Sequence, residues 1–363
     1  MASSDRRSVV LSPVRDVARK DLTVFARDAL AFARSLGEGR LTRRRLRLHG
    51  LDLDLAVSDP AYAQACERVY ATDPVAEAPQ AGLRLTVLDG QNVPDMPRCI
   101  WTDDVIGGGP IRDALEADNL LGLHDRELDL WQFYDPETGE GVQLMPTPET
   151  PPPWEASVPL RLFLHWAMHG IGRPLVHAGT VGLDGDCVFL AGAGGAGKSG
   201  TTLCGILDGL ESVGDDYVLA ELGADGVIAR PLVKIMKQDR HGLRRLGVDP
   251  ADPCLQGPNW QGKLEFEFER LCPGSGAQAL KGQAILLPSV TGGEATRARR
   301  ASAKEAMMAL APSSFAQLFG AWRADLSFLA EFCRRLPAWR VELGSDPAEV
   351  AGFLREFLGR SSP

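Results

Sequence analysis

Residues 188–202, V-F-L-A-G-A-G-G-A-G-K-S-G-T-T, constrain this chain more than any other stretch. The apolar run Val188 to Ala191 reads as a buried strand. It enters Gly192-Ala193-Gly194-Gly195-Ala196-Gly197-Lys198-Ser199, which fits G-x-x-x-x-G-K-[ST] at every fixed position. Gly200 and Thr201 follow, and Leu203, Ile206 and Leu207 then have helical spacing. Glycines let backbone N–H groups curl around phosphate oxygens, and the helix N-terminus adds partial positive charge. In such a loop Lys198 reaches the β- and γ-phosphates as a point charge, while the Ser199 hydroxyl coordinates Mg²⁺. Residues 192–201 are the predicted cradle for a nucleoside triphosphate.

The same geometry singles out an acidic pair. A helix from Lys198 to about Gly209 climbs about 18 Å. Five or six extended residues return about the same distance. Glu211 to Gly214 are expected to be that returning strand, which brings Asp215 and Asp216 back to the level of the phosphates. Phosphoryl transfer needs positioning and charge neutralisation more than covalent help. One carboxylate must hold Mg²⁺ with Ser199, and another can accept the proton of an attacking hydroxyl. Neighbours on an extended segment point to opposite sides, so the two aspartates can divide these tasks. Two surface aspartates at a turn would fit the same spacing. His177 ends the strand pair feeding the loop, where it is either close to the γ-phosphate or a satisfied core histidine.

At 363 residues the chain has room for two domains. A net charge of −9 argues against a general nucleic-acid surface. Seven cysteines are scattered without C-x-x-C or metal-ligand spacing, which suits a reducing cytoplasm. The N-terminus lacks the apolar core of a signal peptide, and no apolar run of about 18 residues occurs, so no membrane span is expected.

Residues 16–36 carry a helical stripe of Leu22, Phe25, Ala29, Phe32, Ala33 and Leu36. R-R-R-L-R-L-H-G-L-D-L-D-L-A-V alternates on both sides of His49-Gly50, a hairpin pattern whose arginines form one solvated face. Leu83 to Leu88 and Cys99 to Thr102 read as strands, and Leu128 to Tyr134 pairs with Val142 to Met145. The segment 146–153, P-T-P-E-T-P-P-P, has five prolines in eight residues. It is an extended linker, and the predicted domain boundary falls there.

Beyond it a helix is expected over Val158 to His169, with His165 and His169 on one face as packing residues. Two strands then join at Asp184-Gly185. A further hairpin, Tyr217 to Ala220 with Val227 to Ile235, turns at Ala224-Asp225-Gly226. Leu264 to Phe268 and Ala284 to Leu287 are strands, and Ser302 to Glu305 is a capping box. A helix through Leu318, Trp322, Leu326 and Leu329 follows. A strand from Trp339 to Leu343 and a helix capped by Asp346-Pro347 close the chain.

The stretch H-A-G-T-V-G-L-D-G-D-C-V-F-L-A-G-A-G-G-A-G-K-S, followed by S-V-G-D-D-Y-V-L, resembles the HPr kinase/phosphorylase family. It looks closer still to that family's relatives in peptide-modification clusters, including lasso-peptide tailoring kinases. The strong similarity covers residues 177–219, and a looser one runs from about 155 to 363.

The resemblance implies an α/β fold in which a P-loop HPr kinase/phosphoenolpyruvate carboxykinase-like domain with a mixed sheet, residues 151–363, follows a smaller α+β domain, residues 1–150, that recognises a substrate peptide. It implies an ATP- and Mg²⁺-dependent kinase acting on a serine or threonine hydroxyl of a peptide or protein. Asp215 would be the base, Ser199 and Asp216 the metal side, His177 an assisting group and Lys198 the phosphate contact. Self-association stays open, because the family's HPr enzymes are hexamers and the N-terminal domain here looks different. Gly200 departs from the family, whose HPr enzymes carry an acidic residue there. No clear copy of their later arginine-glycine signature occurs, which argues against the reverse reaction and against HPr as substrate. Two rivals remain: a small-molecule kinase or carboxykinase-like enzyme, and a nucleotide-hydrolysing switch.

Overall fold

The computed structural model describes residues 16–37, 39–73, 81–98, 111, 114–318 and 322–360. They form a mixed α/β protein with two mixed sheets and a two-stranded ribbon. Helix α1 (Asp16–Ser35) buries Leu22, Ala29 and Ala33 of its predicted stripe against Trp131, Phe133 and Leu144. Strands β1 (Thr42–Leu48) and β2 (Leu51–Val57) make the predicted hairpin. His49 and Gly50 close it at φ 44° and 90°, the left-handed pair that a two-residue turn matching strand twist requires. Arg43, Arg44 and Arg45 are all exposed at the start of β1, and alternation then puts Leu46 and Leu48 inside. Local carboxylates answer part of this basic face, as Arg47 meets Asp52 at 2.6 Å and Arg44 meets Glu67 at 2.9 Å.

Helix α2 (Pro60–Val69) follows its Asp59 cap. Strands β3 (Ala81–Asp89), β4 (Leu121–Asp125), β5 (Leu130–Asp135) and β6 (Glu140–Met145) complete a sheet of order β1-β2-β3-β6-β5-β4. The hairpin β5–β6 is as expected, whereas β3 lies parallel to both β2 and β6. The strand expected over Cys99 to Thr102 lies outside the described residues.

Segment 146–153 carries neither helix nor strand. Helix α3 (Arg161–Gly170) starts three residues later than its pattern suggests, because Leu160 takes a left-handed φ of 61° after a short 3-10 turn at Glu155–Ser157. Its residues Leu162 to Met168 are all buried. A helix buried all round needs partners on every side. Leu53 and Leu85 of the first sheet, Leu219 of the second and Leu232 just beyond β11 share one apolar cluster with it.

The remaining elements are β7 (Leu175–Val176), β8 (Gly179–Leu183), β9 (Asp186–Leu190), α4 (Lys198–Leu207), β10 (Val218–Gly223), β11 (Gly226–Pro231), β12 (Ile235–Gln238), α5 (Arg240–Arg245), β13 (Leu264–Glu267), α6 (Phe268–Leu271), β14 (Leu280–Gly293), β15 (Arg297–Ala301), α7 (Ala303–Gln317), α8 (Trp322–Arg335), β16 (Ala338–Gly344) and α9 (Pro347–Gly359). The long strand β14 organises the second sheet, running parallel to β9 and β16 and antiparallel to β11. Strand β12 pairs only with β13 in the ribbon.

Four local expectations change. Glu211 to Gly214 are extended, but they form single bridges to Gly182 and Gly276 instead of a strand. The strand expected through Ile235 stops at Pro231, which has no N–H to continue a ladder, and Ile235 opens β12. Leu318 caps α7, so the helix expected through it begins only at Trp322. Strand β15 was unexpected; it is an arginine-rich edge paired antiparallel to β16. The capping box at Ser302 and Glu305 and the Asp346 cap with Pro347 behind it form as expected.

Candidate active site

The glycine-rich segment turns at the carboxyl end of β9, between the second, mixed sheet and α4. Gly192, Gly195 and Gly197 stand at φ 153°, 81° and 106°, which L side chains rarely adopt. The Lys198 ammonium folds back onto the loop, donating to the carbonyls of Gly192 at 2.6 Å and Ala193 at 3.3 Å. Burial lowers its pKa, and the charges of Asp215 and Asp216 oppose that shift. Gly200 sits in the first helical turn, where glycine costs about 1 kcal/mol against alanine. Thr201 and Thr202 are buried behind it, and among the described residues the Thr202 hydroxyl has no hydrogen-bond partner.

Side chains hold the segment returning to the acidic pair where a ladder is missing. The Thr180 hydroxyl accepts from Val213 N–H at 3.0 Å, and the Ser212 hydroxyl accepts from Gly214 N–H at 3.0 Å. Gly214 at φ 141° and Asp216 at φ 71° then bend the chain, so that consecutive carboxylates face different surroundings.

Asp215 points inward. It is 1% exposed, and among the described residues neither carboxylate oxygen has a hydrogen-bond partner. Burial raises its pKa, and the Asp216 carboxylate raises it further. Ser199 faces it outside normal hydrogen-bond geometry, yet close enough to oppose the shift. Asp216 is paired on both sides. His177 Nε2 lies 3.1 Å from Oδ1, and the Lys237 ammonium donates to Oδ2 at 2.7 Å. Burial pushes the Asp216 pKa upward, but His177 and Lys237 outweigh it and hold the carboxyl well below the ordinary range. The imidazole of His177 stacks on Tyr217 with ring centroids 5.0 Å apart.

Gly179, on β8, makes room for this arrangement. A Cβ there would stand 2.5 Å from Thr202 Oγ1 and 2.8 Å from Asp215 Oδ1. Gly179→Ala is therefore expected to cost about 1–3 kcal/mol by overpacking and to displace the Asp215 carboxylate. Chemical denaturation reads the first effect and turnover the second. An unchanged midpoint with unchanged turnover would remove this glycine from the site.

A cavity of about 910 Å³ opens over the loop, with His177, Lys198, Ser199, Asp216 and Lys237 on its inner wall. Leu123 and Leu130 of the first sheet, with Leu128 in the turn between their strands, form part of the outer wall. Trp154 and Trp260, 44% and 50% exposed, line it too and meet edge-to-face at 5.9 Å. The sequence-nominated loop, His177, Lys198, Ser199, Asp215 and Asp216 thus come together. Lys237 is a site residue that no motif announces: on β12 its neighbour Met236 enters the core, and the alternate face carries the Lys237 side chain to Asp216. Gly179 carried no sequence signal.

His165 and His169 stand apart from the loop. His165 Nδ1 accepts from Leu175 N–H, so its Nε2–H donates to the buried Asp325 at 2.8 Å. His169 Nε2 lies 3.5 Å from the same carboxylate.

The residues fit a divalent ion held jointly with phosphates. A serine hydroxyl with two carboxylates at hand, Asp215 facing it and Asp216 on the cavity wall, offers the oxygen donors that Mg²⁺ takes when phosphates and water supply its remaining ligands. Among the described residues no group of three or more His, Cys, Asp or Glu could hold a metal alone. Also among the described residues, no helix is long and apolar enough to cross a membrane.

No family model and no curated protein matches the chain. Among solved structures, the HPr(Ser) kinase/phosphatase from Coxiella burnetii is similar over 52% of this chain and 99% of its own, at 11% identity and a TM-score of 0.28. A likeness of that degree leaves fold and chemistry to be argued from the chain's own residues.

Proposed function

We propose that this chain is an ATP- and Mg²⁺-dependent kinase of the HPr-kinase-like type, transferring the γ-phosphoryl group to a serine or threonine hydroxyl of a peptide or protein in the cytoplasm. The observation that carries the reading is the buried, partnerless Asp215 carboxylate next to Lys198 and Ser199, one residue from an Asp216 held ionised by two neighbours. Paired carboxyl groups with pKa values pushed apart are the usual arrangement for dividing acid–base from electrostatic work. In this reading the acceptor oxygen attacks the γ-phosphorus as the bond to the β–γ bridging oxygen breaks, and the hydroxyl proton passes to Asp215. Lys198 and the N–H groups of residues 192–201 neutralise charge on the phosphates. Ser199 and Asp216 hold Mg²⁺, and His177 orients Asp216.

A second assignment has its own support. Ser199 faces Asp215, and Asp216 lines the cavity. Exchanging the two roles would make Asp216 the group nearest an acceptor. The Mg²⁺ concentration for half-maximal rate separates the assignments: it rises in the variant, Asp→Asn at 215 or 216, that lost the metal ligand.

The reading assigns residues 1–150 to substrate recognition and 151–363 to catalysis. Leu123, Leu128 and the Trp154–Trp260 pair give the cavity an apolar outer half, where an acceptor segment would anchor. Trp154→Ala with Trp260→Ala is expected to raise the acceptor KM about tenfold and leave the ATP KM unchanged, as steady-state kinetics would read. The reading itself is tested with γ-labelled ATP and Mg²⁺ in extract of the native host, wild type beside Asp215→Asn. A labelled peptide or protein that disappears with the variant supports it. Label released only as free phosphate, equally by both, moves the nucleotide-hydrolysing switch to first place.

A further inference from the structure

Gly200 breaks a helix rule without a packing reason. It stands in the first turn of α4, and its φ is outside the left-handed region. A Cβ there would meet only Gln238 Nε2 at 3.6 Å and Arg245 Nη2 at 4.0 Å, both ordinary contacts. The protein's own atoms would therefore tolerate a side chain at the place where the related HPr enzymes carry an acid. What faces the gap instead is a guanidinium. Arg245, the last residue of α5, makes no ion pair or hydrogen bond among the described residues. The carboxylates on the flanking helices are already committed, Asp208 to Arg355 at 2.7 Å and Asp239 to the Gly242 N–H at 2.7 Å.

Lys263 adds a second unpaired cation. The Asn259 carboxamide ties its loop, accepting from Gln261 N–H at 2.9 Å and Lys263 N–H at 3.1 Å. Gly200, Arg245 and Lys263 line the same cavity as Lys198 and Ser199. The charge of Lys263 is felt at Lys198, where it adds to the lowering of that group's pKa. Asp215, whose charge acts on the same Lys198, is a buried carboxylate with no hydrogen-bond partner among the described residues.

We propose that Arg245 is a phosphate ligand of the bound nucleotide, its guanidinium closing over the side of the phosphate chain that lies at Gly200, with Lys263 as a second cation across the cavity. This rests on the kinase reading, because it takes the glycine-rich loop as a triphosphate cradle. The N–H groups that open α4 face the phosphates in such a loop. A planar guanidinium binds two phosphate oxygens at once, and glycine at 200 leaves it the room to do so. An acid at 200 would pair with Arg245 and withdraw it. The site thus selects a nucleoside di- or triphosphate over a nucleoside.

Calorimetric titration with Mg²⁺-ATP, ADP and adenosine, needing no acceptor, tests this. Arg245→Gln is expected to weaken ATP and ADP about 10- to 100-fold, the range for removing a charge-assisted contact, and to leave adenosine unchanged. Arg245→Lys should recover only part of the loss. Gly200→Glu should weaken ATP comparably while leaving Arg245 in place, and it decides the matter if Arg245→Gln does not fold. Equal ATP affinity in wild type, Arg245→Gln and Gly200→Glu would overturn the assignment. So would unchanged ATP affinity with a raised acceptor KM, which would place Arg245 on the acceptor. Failure of the wild type to bind ATP at all would instead sink the kinase reading.

Discussion

Asp215→Asn is expected to slow phosphoryl transfer roughly 100- to 10,000-fold, the range for losing a positioned general base, and at the same time to raise the melting temperature. The two effects have one origin. A carboxyl whose pKa is higher in the folded chain than in the unfolded one binds its proton more tightly when folded. Its stabilising contribution is fully present below the unfolded pKa of about 4 and is lost as pH rises through the folded value. At pH 7, where the unfolded carboxyl has already lost its proton, Asp215 in its buried position is therefore a cost to the native state. Asparagine fills the same volume without the charge and should gain about 1 kcal/mol, on the scale of a buried unsatisfied group. Calorimetric melting without ligands reads this, and the difference should shrink as pH falls. Under the second assignment, in which Asp215 holds the metal, Mg²⁺ with nucleotide should in addition stabilise the wild type more than the variant. A variant that melts lower and turns over normally would show that Asp215 is an ordinary core residue.

Much of this site is readable in the sequence because its signals are local. Glycines at forced φ values, the Lys-Ser pair behind them and a helix of fixed rise together locate Asp215 and Asp216 from distance alone. The tight turns at His49-Gly50 and Asp184-Gly185 and the caps at Ser302 and Asp346 are equally local. What escapes is decided by partners far along the chain. The parallel pairing of β3 with β2 and β6 leaves no turn between neighbours to announce it. Strand β15 looks like a basic surface run, since Arg297 and Arg299 gain their strand character only from β16 and Arg300 from lying over the Trp339 ring at 4.3 Å. The return segment at Glu211 is extended as expected, but hydroxyls of Thr180 and Ser212 take the role of a ladder. Lys237 and Gly179 act through contacts with residues 21 and 36 positions away, which no spacing rule anticipates.

Asp216→Asn should move stability the other way from its neighbour. Asparagine, like aspartate, tolerates the left-handed φ of 71°, so the backbone has little reason to change. The variant loses the charge that His177 and Lys237 both face, and it leaves the Lys237 ammonium without its carboxylate. A loss of about 2 kcal/mol at pH 7 is expected, below the range for breaking a fully buried pair because Asp216 is 25% exposed. The folded-state pKa of Asp216 is depressed, so its contribution is complete above the unfolded value of about 4 and disappears as pH falls through the folded value. The gap in melting temperature between wild type and variant should therefore narrow on acidification. A gap independent of pH would mean that the side chain acts by shape alone. Lys237→Met in the Asp216→Asn background should restore part of the loss, with a coupling of about 1–3 kcal/mol, because it removes the cation left unbalanced. Adjacent residues of one type that shift stability in opposite directions at the same pH leave uniform burial no explanatory role. The difference must come from which charges each carboxylate faces, and a site that keeps one aspartate paired and its neighbour alone is poised to accept a cation or a proton at the second.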